Sequence, residues 1–287
     1  MKSIETLIPD IYETVSQKGG WFSPDLAKEF SREVANRLVD ASNTQGSPKL
    51  RLSQMGPRCP CALWHSIHKP EEAEPFPPWV QIKFSYGHIL EALVIAMAKA
   101  AGHEVTGEQD VVYVNGVAGH RDCIIDGNIV DVKSAASPSF VKFQSGSIAQ
   151  GDSFGYLDQL DGYLVGSASD ELVRNKNSAY LLAIDKQLGH LCLYEHKGRF
   201  EHIKNRVEEY KRITDLPHPP ACTCQSVPDG SSGNMKLDTT ASYNIFKYAC
   251  KPHLRTFLYS NGPRYLTKVV RVPDVPEVDR YGQYISR

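Results

Sequence analysis

Two dipeptides, Asn115-Gly116 and Asp126-Gly127, each stand between short β-prone runs, a strong signal for two-residue hairpins. They divide the chain into predicted strands over 111–114, 117–125 and 128–134. A two-residue loop at 126–127 makes Ile125 face Asn128 and carries Asp122 to a position opposite Asp131. Side chains so paired share a sheet face, with Cβ atoms about 5 Å apart, and like charges there repel. A hard divalent cation turns that repulsion into attraction. Lys133 lies two residues beyond Asp131, hence on the same face, and the same register sets it opposite His120. The competing reading is a solvated strand face on which Lys133 softens an acid pair. A three-residue loop would shift the register and part the two acids.

The flanking segments predict an α/β sandwich with a mixed sheet. Ser23-Pro24-Asp25 opens a helix with Leu26, Phe30, Val34 and Leu38 on one stripe. A polar loop is expected over 41–49, an irregular lead into a short helix over 51–65, and a proline-rich linker over 70–78. A helix starting near Gly87 carries Leu90, Leu93, Val94, Met97 and Ala101 and stops at Gly102. Further helices are predicted over 154–165 and 200–213, and a strand pair over 180–184 and 190–194. The stretch 217–238, rich in Pro, Gly, Ser and Cys, reads as a loop or a metal-tied knuckle.

Composition narrows the class without assigning a function. The 287 residues are 41% hydrophobic and 23% charged, as in ordinary globular chains. With 32 Lys+Arg against 33 Asp+Glu, overall basicity does not argue for nucleic-acid binding, though it leaves room for a local basic groove. The apolar stretch 89–101 is broken by Glu91 and Lys99, short of the roughly 20 apolar residues a span needs. No membrane partner and no secretory signal are expected, which predicts a cytoplasmic protein. Its 7 cysteines then read as thiols or metal ligands rather than disulfides.

Four short elements follow one another. They are Gly87-His88-Ile89-Leu90-Glu91, Gly119-His120-Arg121-Asp122, Asp131-Val132-Lys133 and Gln159-Leu160-Asp161-Gly162-Tyr163. In this order they resemble the PD-(D/E)XK nuclease superfamily, and within it the RecB-like exonuclease branch, over roughly 51–184. The resemblance implies a restriction-endonuclease-like mixed sheet flanked by helices, with an N-terminal helical extension (1–80), a nuclease core (81–215) and a C-terminal Cys-containing, basic cap (216–287). It makes Glu91, Asp122, Asp131 and the Val132 carbonyl metal ligands. Glu91 takes a position that many relatives fill with His, and the G-x-x-x-E spacing favours it over His88. Lys133 would orient the attacking water and stabilise charge, while Gln159 and Tyr163 would hold the DNA strand. Arg51 and Ser53 match an R-x-S-type phosphate grip, against the plainer reading of a surface Arg and a capping Ser.

All-oxygen ligation favours Mg²⁺ or Mn²⁺ over Zn²⁺. The implied activity is metal-dependent hydrolysis of phosphodiesters at linear duplex or single-stranded DNA ends, in recombination, repair or phage DNA metabolism. A homo-oligomer or a recombination partner protein is compatible with it. The alternatives are an endonuclease of the same fold, a catalytically silent DNA-binding module, and a cysteine-metal interaction protein. Basic residues from Lys247 onward could line a DNA path, or form a solvated face beside Asp274, Glu277 and Asp279.

Several RecB-like nucleases carry a four-cysteine iron-sulfur cluster, with one ligand before the core and three after it. Here Cys59 and Cys61 precede the core, and Cys222, Cys224 and Cys250 follow it. Ala241 and Asn244 stand where cluster-bearing relatives place Cys, so a lost cluster is favoured over a present one. Zn²⁺ held by Cys222, Cys224, Cys250 and His218 or His253 is a further option, as are free thiols. Cys123 and Cys192 are expected to be core thiols.

Overall fold

The computed structural model describes residues 2–43 and 48–285. Helices α1 (Leu7–Val15), α2 (Pro24–Asn43), α3 (Pro60–His68) and α4 (Pro78–Ala100) come first. Strands β1 (Val105–Thr106), β2 (Val111–Val114), β3 (Val117–His120), β4 (Cys123–Ile125) and β5 (Asn128–Ala135) follow. Next are α5 (Ser137–Gln144), α6 (Tyr156–Gly166), β6 (Ser178–Asp185), β7 (Leu191–Lys197) and α7 (Phe200–Thr214). The chain ends with β8 (Ser226–Pro228), β9 (Met235–Leu237), α8 (Thr239–Ser242), α9 (Lys247–Cys250), β10 (Arg255–Tyr259), β11 (Gly262–Lys268) and β12 (Glu277–Val278). No helix among the described residues is long and apolar enough to cross a membrane.

Two compact units divide the chain: Met1–Ser47 with Arg51–Gly56 and Pro77–Val207, and Pro48–Leu50 with Pro57–Phe76 and Glu208–Arg287. The first holds a mixed five-stranded sheet in the order β1-β4-β5-β6-β7, in which only β5 and β6 run parallel. A parallel pair needs a long crossover, and α5 and α6 supply it. Ile125 faces Asn128 and Cys123 faces Val130, the register read from Asp126-Gly127. Asp126 and Gly127 both adopt positive φ (49° and 75°), as such a turn requires.

One sheet face is sealed by α1 and α4: Leu7, Ile11, Val94, Ile95 and Ala98 pack with Val130, Val132 and Leu182. Alternation along β5 therefore turns Asp131 and Lys133 to the opposite face, toward α6. Asp152 fastens the start of α6 by accepting from the N–H groups of Gly155 (2.9 Å) and Leu157 (2.8 Å). Gly155 has φ of 76°, and its backbone lies so close to Gly56 that a Cβ would come within 2.1 Å of the Gly56 Cα. Only glycine fits that crossing.

Several expectations change. The strand read over 117–125 is two strands: β3 forms a separate hairpin with β2, and β4 joins the main sheet. His120 therefore faces Val111 rather than Lys133, which pairs with Ala183. Helix α4 begins at Pro78, not near Gly87, because Pro suits the first helical turn. Helix α2 runs through Asn43, into the expected loop, and 44–47 lie outside the described residues.

The second unit carries an antiparallel five-stranded sheet in the order β12-β10-β11-β9-β8. The stretch 217–238, read as a loop or a metal-tied knuckle, contributes two of these strands, β8 and β9. Trp64 of α3 donates its indole N–H to the Leu216 carbonyl (2.8 Å), and the Glu74 N–H bonds the Ile245 carbonyl (2.7 Å). Segments distant in sequence are thereby joined within this unit.

Candidate active site

Asp131 is the buried centre of the first unit's polar face, 1% exposed. Apart from Lys133, no group among the described residues hydrogen-bonds either carboxylate oxygen. Lys133 Nζ stands 2.5 Å from Oδ2, an ion pair between neighbours on one side of β5. Burying a charge costs several kcal/mol unless it is compensated, and Lys133 is the group that compensates Asp131.

Asp122 lies one step beyond the last β4–β5 pair, next in register to Asp131. Its Oδ2 accepts the Val132 N–H at 2.7 Å, so the side chain closes the ladder where the backbone pairing stops. Burial first, then the Asp131 and Glu91 charges, push the Asp122 carboxyl well above the usual range, against Lys133 and the Val132 N–H. Lys133 is shifted the other way from what burial alone would do, because Asp131 and Asp122 hold its ammonium charged. That ammonium also lies 5.1 Å from the centroid of the Tyr156 ring, a cation–π contact.

The Gln159–Tyr163 pair occupies the sheet-facing side of α6. Gln159 Nε2 donates to the Tyr163 hydroxyl (2.5 Å), and that hydroxyl donates to the His120 carbonyl. Tyr163 is 1% exposed. Burial raises its pKa, with Asp131 and Asp122 adding to the effect. Gly162 beside it leaves room for Leu52.

Glu91 on α4 is only partly drawn in. Its Oε1 is taken by Arg37 of α2 and by Gln109 Nε2 at 3.0 Å. Its charge nonetheless reaches Asp122. Arg51 is exposed, makes an isolated bridge to Ala118, and its N–H bonds Gln54 Oε1 (2.9 Å). Ser53 is exposed within the 3-10 turn Leu52–Gln54.

Three contributors were not singled out from sequence. Arg121, in the two-residue gap between β3 and β4, is 1% exposed and pairs with Asp110 (2.8 Å) and Asp170 (2.6 Å). Arg37 neutralises Glu91 from 54 residues away. Tyr156 flanks Lys133. Arg121 lies inside the Gly119–Asp122 element and Tyr156 three residues before Gln159, whereas Arg37 is remote from every motif. The basic residues from Lys247 onward do not form a free path throughout. Lys247 pairs with Glu74, Arg255 is bidentate to Glu277 (2.7 Å each), and Arg264 meets Asp229 (3.0 Å).

The second unit gathers a different set. The sulfurs of Cys59, Cys222, Cys224 and Cys250 all lie within 4.8 Å of one another. His218 and His253 are not part of this set. Hydrogen bonds from Cys224 and Cys250 hold the Cys59 thiol well below its usual range, and the same contacts push Cys250 well above it. Cys123 and Cys192 are buried in β4 and β7.

No family model and no curated protein matches the chain. Among solved structures, SSO0001 is similar at 15% identity and a TM-score of 0.43, covering 77% of this chain and 93% of that one. An alkaline exonuclease from Laribacter hongkongensis, LHK-Exo, is similar at 14% identity and a TM-score of 0.41, covering 64% of this chain and 90% of that one. Its complex with dAMP aligns at 12% identity and a TM-score of 0.38, covering 64% and 94%. Likenesses this loose carry no functional assignment.

Proposed function

We propose that the chain is a metal-dependent DNA nuclease of the PD-(D/E)XK type acting at DNA ends. The observation that carries this is the Asp131 carboxylate, buried with Lys133 as its one polar partner among the described residues and next in register to Asp122. An acid pair in that state fits a hard cation, since oxygen ligands from two carboxylates and the nearby Val132 carbonyl suit Mg²⁺ or Mn²⁺. Glu91 would join once released from Arg37.

A bound Mg²⁺ or Mn²⁺ supplies an activated water and shields charge on the phosphate. Lys133, held charged between the acids, aims an ammonium at charge developing on the non-bridging oxygens. Tyr163 bonds the His120 carbonyl at the end of β3, two residues before Asp122, while Gln159 donates to the Tyr163 hydroxyl. Arg51 and Ser53, exposed on the preceding turn, are suited to grip a backbone phosphate.

The test is cleavage of end-labelled linear duplex and single-stranded DNA with Mg²⁺ or Mn²⁺, beside closed circular DNA and the Lys133→Ala variant. Loss of label from one end, intact circles and an inactive variant support the exonuclease reading. Cleaved circles would make the protein an endonuclease of the same site. Equal inertness of wild type and variant with both metals, together with retained DNA binding, would make it a silent binding module.

A further inference from the structure

The four clustered sulfurs come from three places in the second unit. Cys59 is the residue before α3, Cys222 and Cys224 lie just before β8, and Cys250 ends α9. Cys59 and Cys222 are separated by 163 residues of chain, yet their sulfurs are 3.8 Å apart. That is too long for a disulfide, whose S–S bond is about 2.05 Å. All the cysteines are free.

The size of the cluster decides which metal group fits. In a tetrahedral mononuclear site with metal–sulfur bonds of about 2.3 Å, neighbouring sulfurs stand about 3.8 Å apart. In a cubane iron-sulfur cluster each thiolate sits on its own iron and points outward, which spreads the sulfurs to roughly 6 Å or more. Here every pair lies within 4.8 Å. The cubane does not fit between these sulfurs; a single ion does.

The surroundings are built for sulfur anions. The Thr223 N–H points at Cys59 Sγ (3.3 Å). The Asn244 amide donates to both Cys224 Sγ and Cys250 Sγ (3.6 Å each), and its own oxygen is fixed by the Phe246 N–H (2.9 Å). Asn244 therefore supports two of the sulfurs through its side-chain amide. Cys61, Ala62 and Phe246 are buried around the set, and Ile245 and Ala249 pack against it. Four sulfurs in so apolar a pocket need a cation to ionise together, and an all-sulfur tetrahedral set selects Zn²⁺ among redox-silent ions.

We infer that Cys59, Cys222, Cys224 and Cys250 bind one Zn²⁺, which staples the segment around α3 to the C-terminal segment of the second unit. The role is structural: four protein ligands leave no open position for substrate. The cluster lies apart in sequence from Asp122, Asp131 and Lys133, and its test needs no nuclease assay.

The full chain would be expressed in medium supplying both iron and zinc, purified without oxygen, and analysed for metals and acid-labile sulfide. One zinc per chain, with iron and sulfide at background, is expected. X-ray absorption at the zinc edge should then show four sulfur neighbours at about 2.3 Å. Cys250→Ser should bring zinc to background, while Cys61→Ser, beside the set but outside it, keeps one zinc per chain. If Cys250→Ser does not fold, the wild-type absorption spectrum alone decides the ligand set. Iron with matching sulfide, a single iron in place of zinc, zinc with nitrogen or oxygen neighbours, or metal-free folded protein would each overturn the inference.

Discussion

The Tyr163 hydroxyl donates to the carbonyl of His120, two residues before Asp122 and on a strand of a different sheet from the one Asp131 occupies. Arg121, clamped between Asp110 and Asp170, holds the intervening residue. The position of Asp122 therefore depends on α6 as well as on the β4–β5 hairpin.

Tyr163→Phe keeps the ring and removes that one hydrogen bond. The cost to stability is expected to be about 1 kcal/mol. If Tyr163 acts by holding Asp122, kcat on linear DNA should fall about tenfold with KM unchanged. A rise in KM at constant kcat would instead place the hydroxyl on the DNA. Steady-state kinetics beside a denaturant melt separates the two.

Asp122→Asn removes one of two facing charges. In EDTA the variant should be more stable than wild type, because burial and Asp131 both oppose the Asp122 charge. Wild type should gain about 3 kcal/mol from a divalent ion at a hundredfold excess over its Kd, and the variant little. Thermal melts with EDTA, Mg²⁺ and Mn²⁺ read both effects; identical metal responses would remove Asp122 from the ligand set.

Arg37→Met strips Glu91 of its cation in a partly buried setting. Metal-free stability should fall by about 3 kcal/mol, the scale for breaking a buried pair from one side. Divalent-ion affinity should rise, since Glu91 no longer has Arg37 as a competing partner. Titration calorimetry with Mn²⁺ on both proteins tests this, and weaker binding by the variant would show that Arg37 supports the site.

Asp161, in the middle of α6, is fully buried and bonds His196 (2.7 Å) and Arg199 (2.9 Å). Burial opposes its charge, but His196 and Arg199 outweigh burial and hold the carboxyl below its usual range. The stability it contributes is present above the ordinary carboxylate pKa and lost as pH falls through the depressed value. Asp161→Asn should cost about 2 kcal/mol at neutral pH and flatten the acid limb of stability. Denaturation midpoints from acid to neutral pH would show two parallel curves if Asp161 contributes nothing to that limb.

The local sequence already determined the β4–β5 register, because Asp126-Gly127 admits one tight turn geometry and strand pairing follows residue by residue. It likewise set the helices whose apolar stripes repeat regularly, such as α7 and the inner part of α4. What it left open were features whose causes lie far along the chain. The first turns of α4 carry Trp79, Ile82, Phe84 and Tyr86 exposed, so no buried stripe marked them as helix. At the break after His120, Arg121 meets Asp110 and Asp170, and a hydroxyl on α6 meets the His120 carbonyl. Arg37 reaching Glu91, and four thiols gathered across as many as 191 residues, are pairings between side chains that no local period encodes. Tight-turn geometry and the pairing it starts act between neighbours and are legible in order; charge compensation, the Tyr163–His120 hydrogen bond and sulfur clustering act through space, and only the tertiary structure decided which partners met.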